Sequence, residues 1–189
     1  MQKQLEGKVA VITGGGQGVG FGIAQEFVED GASVVLTGRR RAVLDEAVAR
    51  LGPKSSGIVA DVAKLSEMEA MFKQVVERHG RLDTVVANAI TNANGPLGTI
   101  TEEQWDRTFD TNAKGVLFSV QPALPLLLRG GTIVIIGSPT THGANNSAMN
   151  WPSGVAPGRT SFACTGNGEV AWDMAKTLVA GSTTIPGSK

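Results

Sequence analysis

The stretch Thr13-Gly14-Gly15-Gly16-Gln17-Gly18-Val19-Gly20 has the residue types and spacing to hold an anion. An apolar run precedes it, Val9-Ala10-Val11-Ile12, and an amphipathic pattern comes after it, Phe21, Ile23, Ala24, Phe27 and Val28. That order reads as strand, glycine turn, helix. Glycines accept positive φ without a Cβ penalty and let a ligand come close to the backbone. The helix after the turn aims free N–H groups and its positive dipole end at it. A dinucleotide pyrophosphate is the usual occupant of such a turn. The spacing is T-G-x-x-x-G-x-G, marked by Thr13, Gly14, Gly18 and Gly20, and not G-x-G-x-x-G. Gln17 and Val19 fill variable places within it. The bland alternative is a glycine-rich turn that only joins a strand to a helix.

Arg39, Arg40 and Arg41 come after a second apolar run, Ser33 to Thr37, and open a helix. Cations at a helix N-terminus oppose its dipole by about 0.3–1 kcal/mol each. No Asp or Glu stands at the end of that strand to hold a ribose 2′-hydroxyl. Both facts favour a 2′-phosphate, and so NADP over NAD. Arg39, nearest the strand end, is the first choice for that contact, with Arg40 beside it and Lys8 a weak second. A solvated basic helix start, helped by Asp45 and Glu46, is the competing reading. His142 is the group near Ser138 that titrates near neutrality, although a loop histidine without a role is the better reading. Trp151 and Trp172 only donate hydrogen bonds and cannot act as acids; packing is their expected role. Cys164 has no partner at nucleophile spacing and is read as structural. No metal site is expected.

The positioning elements are given by the apolar pattern. Buried strands are expected over Lys8–Thr13, Ser33–Thr37, Gly57–Ala60, Asp83–Ala87 and Gly131–Gly137. Helices alternate with them. The first runs over Gly18–Asp30 and the second carries Val43, Leu44, Ala47, Val48 and Leu51 on one face. The third is capped by Ser66 and turns Met68, Met71, Phe72, Val75 and Val76 inward. Thr101 with Gln104 three residues on is a helix-start signal. That helix is expected to run towards Leu128, kinked by Pro122 and Pro125. The alternation predicts an α/β fold, a doubly wound parallel sheet with helices on both faces. No linker divides the 189 residues, so one dinucleotide-binding domain is expected over residues 1–189. After Ser138 the character changes: residues 139–168 are rich in Gly, Pro, Ser, Thr and Asn and carry no assignable element. An unstructured loop of that length inside a domain is suspect.

Composition narrows the partners. Hydrophobic residues make up 41% and charged residues 18%, with zero formal net charge. That is ordinary for a soluble globular protein and argues against nucleic acid or an anionic membrane as partner. The polar start MQKQLEGK has no signal-peptide core, and no apolar run is long enough to span a bilayer. One cysteine excludes an intrachain disulfide and fits a reducing compartment, so a cytoplasmic location is expected.

Residues 5–138 resemble the short-chain dehydrogenase/reductase family, in order and at family spacing. The resemblance rests on Thr13, Gly14, Gly18 and Gly20; on Asp61-Val62 after the third strand; on Asn88-Ala89 after the fourth; on Asn112-Ala113-Lys114-Gly115; and on Ser138 after the fifth. It implies a Rossmann-like sheet of order 3-2-1-4-5. It also implies Asp61 and Val62 flanking an adenine, Asn88-Ala89 against the cofactor with Ile90 in place of a glycine, and Ser138 as catalytic serine. Asn112 would support the site by holding a water, or would simply tie a helix to a strand. The implied reaction is hydride transfer between NADP(H) and a small-molecule carbonyl or alcohol. A homo-oligomer is a candidate state.

The chain departs from the family where the family keeps its Tyr-x-x-x-Lys. The sequence contains no tyrosine. Trp151-Pro152-Ser153-Gly154-Val155 stands at the expected spacing, and Trp172-Asp173-Met174-Ala175-Lys176 offers only the lysine, a displaced family lysine or a solvated one. The divergent tail, residues 139–189, implies that strands six and seven and a substrate lid are missing or rudimentary. Two functional readings stay open: an oxidoreductase, weak or with a substitute acid, and a catalytically silent NADP-binding or interaction protein. A tail altered by truncation or a change of reading frame is a third.

Overall fold

The computed structural model describes residues 3–91 and 98–137, and the backbone of 159–164. The elements are β1 (Val9–Thr13), α1 (Gly18–Glu29), β2 (Ser33–Gly38), α2 (Arg41–Leu51), β3 (Ser55–Val59), α3 (Leu65–His79) and β4 (Leu82–Ala87). Then come α4 (Glu102–Phe109), a π-helical segment (Asp110–Lys114), α5 (Gly115–Val120), β5 (Leu127–Gly137) and β6 (Arg159–Cys164). The sheet order is β3-β2-β1-β4-β5-β6 and every pairing is parallel. The expected order 3-2-1-4-5 is therefore present, with a sixth strand beyond it.

Both faces of the sheet are covered, which is why the strands read as unbroken apolar runs. Along β1, Ala10 and Ile12 face one way and pack with Ile23 and Phe27 of α1 and Leu44 of α2. Val9 and Val11 face the other way and pack with Met68, Met71, Phe72 and Val75 of α3. Successive residues of a strand point to opposite faces, so both sets must be apolar. Register places Thr13 beside Thr37 at the carboxyl ends of β1 and β2.

Several element ends shift by one to four residues from the sequence reading, and four differences have a clear physical reason. β3 starts at Ser55, because the Ser55 N–H bonds to the Gly52 carbonyl and pairing with β2 begins there. Lys64, and not Ser66, is the N-cap of α3. Pro122 and Pro125 stop the helix after α4 instead of kinking it: α5 ends at Val120 and β5 begins at Leu127. A proline lacks the N–H that the carbonyl four residues earlier needs. The fourth difference is β6, which lies where periodicity indicates no element and pairs with β5 from Thr132↔Arg159 to Gly137↔Cys164. Strand six is therefore present in the sheet. The Thr101–Gln104 signal is realised as a reciprocal cap: the Gln104 N–H donates to Thr101 Oγ1 at 3.2 Å and the Thr101 N–H to Gln104 Oε1 at 2.9 Å.

The amino edge of the sheet is locked by charge. Asp83 accepts the Val9 N–H at 2.9 Å, Arg81 Nε at 2.8 Å, Arg81 Nη2 at 2.7 Å and Lys8 Nζ at 3.4 Å. Burial pushes the Asp83 carboxyl up, but Arg81, the Val9 N–H and Lys8 together hold it below the usual carboxylate range. The lock ties β1 to β4 at the edge away from the glycine turn.

Candidate functional site

The turn after β1 is built around the buried Thr13 hydroxyl. It donates to the Val86 carbonyl at 3.4 Å and accepts the N–H groups of Asn88 at 3.0 Å and Ala89 at 3.1 Å. The Asn88 amide returns the contact, donating to the carbonyls of Thr13 at 3.0 Å and Gly14 at 3.3 Å. Thr13 and Asn88 thus clamp the carboxyl ends of β1 and β4 together. Gly14 and Gly18 take φ values of 66° and 57°, open to glycine at no cost. A Cβ on Gly20 would stand 2.5 Å from the Gly14 carbonyl oxygen and 2.5 Å from Asn88 Nδ2. A Cβ on Gly16 would meet Val43 at 2.9 Å. The glycines are therefore required by packing as well as by conformation.

The turn opens onto a cleft of about 400 Å³ at the carboxyl ends of β1, β2, β4 and β5. Gly14, Gln17, Gly18, Val19, Arg39, Arg40, Asp61, Val62, Asn88 and Ala89 line it; Thr13 and Gly20 lie beneath as its supports. All twelve residues expected at the cofactor site are thus gathered in one place. Gln17 precedes α1 with no side-chain cap, which leaves the first N–H groups of that helix open to a ligand. A tight glycine turn, an uncapped helix start and an elongated cleft fit a dinucleotide. Arg39 and Arg40 are exposed and form no ion pair among the described residues. Arg40 Nη2 donates to Gln17 Oε1 at 2.8 Å.

Lys8 does not belong to this site. Its Nζ is bound to Asp83 at the other edge of the sheet, so it is removed as a phosphate ligand. Asp61 accepts the Ala63 N–H at 3.0 Å, and its own N–H donates to Glu67 at 2.8 Å, which fixes the loop after β3 at the cleft wall. Ile90 is 70% exposed at the cleft mouth.

Asn112 lies in the π-helical segment, a form found often at functional sites. Its amide pairs reciprocally with Thr91: the Thr91 N–H donates to Oδ1 at 2.9 Å and Nδ2 donates to the Thr91 carbonyl at 2.9 Å. The helix is thereby tied to the chain leaving β4. Ser138, His142 and Lys176, with Trp151 and Trp172, lie outside the described residues. Among the described residues no group of three or more His, Cys, Asp or Glu is arranged to hold a metal, and no helix is long and apolar enough to cross a membrane.

Sequence reasoning misses Thr37 and Thr111. Thr37 is fully buried, lines the cleft and has a hydroxyl with no hydrogen-bond partner among the described residues. Its signal is its place as last threonine of an apolar strand, in register with Thr13. Thr111, 8% exposed, also lines the cleft. Its only signal is its position next to Asn112.

Comparison with known proteins agrees with this geometry. A family model described as short chain dehydrogenase matches residues 8–153. Oxidoreductase asL5 of Sarocladium schorii is 46% identical over 138 residues, covering 72% of this chain and 55% of that protein. Hydroxynaphthalene reductase-like protein Arp2 of Metarhizium guizhouense is 38% identical over 141 residues, covering 72% and 52%. The chain therefore spans about half the length of the curated relatives it matches. Among solved structures, a mutant of a Serratia marcescens short-chain dehydrogenase/reductase matches with TM-score 0.68 and 29% identity, over 72% of this chain and 57% of that one. A blue fluorescent protein from a metagenomic library, in complex with NADPH, matches with TM-score 0.67 and 32% identity, over 71% and 57%. The matched span holds the glycine turn, the clamp and the cleft, and on that basis the chain belongs to the short-chain dehydrogenase/reductase family.

Proposed function

We propose that this chain binds NADP(H) in the cleft and acts in hydride transfer between NADP(H) and a small-molecule carbonyl or alcohol. One observation carries the cofactor reading: the glycine cradle faces two arginines that no carboxylate pairs among the described residues. A 2′-phosphate is a dianion that guanidinium N–H groups match in geometry and charge. The solved relative that holds NADPH supports it. The N–H groups at the start of α1 would hold the pyrophosphate, Asp61 and Val62 the adenine end, and Asn88 and Ala89 the wall beside it. Bound NADPH supplies the hydride. Ser138 would bind the carbonyl oxygen, and Asn112 would support the site through its hold on Thr91. His142, Lys176 or water would have to provide the proton.

A second reading, a silent NADP-binding or interaction protein, is favoured by one observation: the sequence has no tyrosine, and Trp151 stands at the family spacing. Removing a general acid typically costs about 10²–10⁴ in rate. The expected outcome is NADPH binding with low or absent turnover on general carbonyl substrates. Fluorescence titration of NADPH and NADH tests the first half, and equal affinities would reject the NADP assignment. Stopped-flow NADPH oxidation against a carbonyl panel tests the second. Family-like turnover that His142→Gln leaves unchanged would defeat both the silence and the substitute acid. A cytoplasmic setting and a homo-oligomeric state are parts of the same proposal. The single cysteine supports the first, and the second rests only on the family's pairing through its fourth and fifth major helices, of which this sequence keeps one intact.

A further inference from the structure

Arg39 and Arg40 are adjacent, yet their surroundings differ. Arg39 also lines a second hollow, about 530 Å³, whose wall holds Asp61, Glu102, Glu103, Asp106 and Asp110 against Arg39 and Arg107. Asp110 is paired with Lys114, and the other four carboxylates still outnumber the two arginines and oppose the positive potential of Arg39. Arg40 lines the cofactor cleft, beside Arg39 and Asp61, but not this second hollow. It is also held: Nη2 donates to Gln17 Oε1 at 2.8 Å, a link between the start of α1 and the start of α2, 23 residues apart. Gln17 has extended backbone at the helix N-cap, with φ −160° and ψ 169°, and its side chain makes no cap bond. Its amide oxygen is spent on Arg40.

We infer that Gln17 is a positioning residue for cofactor choice: it fixes Arg40 over the cleft and makes Arg40, more than Arg39, the reader of the 2′-phosphate. The inference rests on the NADP reading above. A guanidinium has five N–H donors in a rigid fork. One bond to Gln17 orients the group and leaves four donors for a ligand. A neutral amide does this without cancelling the charge, which a carboxylate at position 17 would do. Fixing the rotamer beforehand also removes part of the ordering cost that an exposed arginine meets on binding.

The test is fluorescence titration of NADPH and NADH with the full chain and its variants. The wild type should prefer NADPH. Gln17→Glu should lower NADPH affinity about tenfold or more, the scale of one charge-assisted hydrogen bond, and lower NADH affinity by less, because the new carboxylate at the start of α1 also faces the pyrophosphate that both cofactors carry. Gln17→Ala should lower the preference several-fold. In an Arg40→Ala background, Gln17→Ala should change nothing further, which a general role in the turn would not reproduce. Arg40→Ala should reduce the preference more than Arg39→Ala. Retained NADH binding reports an intact cleft in every variant. A wild type with equal affinities overturns the NADP reading and this inference with it. A wild type that prefers NADPH, with Gln17 variants that keep the ratio or lose both cofactors equally, overturns this inference alone.

Discussion

Replacing Thr13 by valine keeps its shape and removes its chemistry. Thr13 is fully buried, and its hydroxyl serves three groups: the carbonyl of Val86 and the N–H groups of Asn88 and Ala89. Valine fills the same space but offers no acceptor. Each N–H left without a partner in a buried place costs about 1–3 kcal/mol. Both lie at part-buried positions, so the lower half of that range applies, giving about 2–4 kcal/mol for the pair. Thr13→Ser keeps the oxygen and loses one methyl, roughly 0.8 kcal/mol of apolar burial. Serine should therefore be the milder change although it removes more volume. For a chain of this size each kcal/mol moves Tm by about 2–4 °C. Urea unfolding followed by circular dichroism, with m unchanged between variants, measures the difference. Thr13→Val within about 0.5 kcal/mol of wild type, the spread of an inconsequential substitution, or serine worse than valine, would refute the account of the clamp. It would show that the space, not the oxygen, matters there.

Gly20→Ala should abolish NADPH binding or weaken it at least about tenfold, because the new Cβ meets a backbone oxygen at 2.5 Å that cannot move without opening the turn; an unchanged fluorescence titration would sink this. Asp83→Asn should destabilise the fold by about 1–3 kcal/mol through loss of its charge-assisted bonds to Arg81 and the Val9 N–H, and should leave NADPH affinity in the folded fraction unchanged. The Asp83 pKa is depressed in the fold, so its contribution is present above the unfolded value near 3.9 and is lost as pH falls through the folded one; the Asn variant should lose less stability than wild type across that acid range. Burial, with help from Arg78, lowers the His79 pKa, and its Nε2 has no partner among the described residues. The unfolded chain therefore takes up the proton first, so stability should decline as pH falls below about 6.5 and level off below the folded pKa. His79→Gln should flatten that part of the curve in urea melts, and an identical slope would show that His79 is not its source.

Local signals in the sequence carry most of the fold. The T-G-x-x-x-G-x-G turn, the apolar runs and the alternation of strands with helices are each contained in a short window, and βαβ geometry then leaves few topologies. The Thr101–Gln104 cap is legible for the same reason, since both partners lie within one helical turn. What escapes depends on partners far away in sequence. Lys8 reads as free until Asp83, 75 residues on, is placed beside it. Arg39 reads as the better phosphate ligand because it is nearer the strand end. Only the packed loop after β1 shows Arg40 held by Gln17, and only the start of α4 brings carboxylates towards Arg39. β6 is invisible to periodicity because its polar residues, Arg159-Thr160-Ser161, and its apolar ones, Phe162-Ala163-Cys164, fall in two blocks that neither alternate nor form one apolar run, and pairing with β5 defines it.

The division of the molecule bears on what it can do. Every group assigned to cofactor binding lies between Thr13 and Ala89, on the carboxyl edge of a sheet whose amino edge is pinned separately by Asp83. Within the clamp, Thr13 and Asn88 satisfy one another and the strand ends. Proton transfer is different. Of the residues proposed for it, Ser138 closes the family-like span directly after β5 and His142 and Lys176 lie in the divergent tail, while Asn112 is already committed to Thr91. Binding and turnover therefore rest on different residues and can fail independently. A general acid's typical share of about 10²–10⁴ in rate can vanish without touching the cradle. NADPH affinity in this chain would thus report on the cleft, whose wall runs from Gly14 to Gly137, and only a turnover measurement would speak to the residues beyond β5.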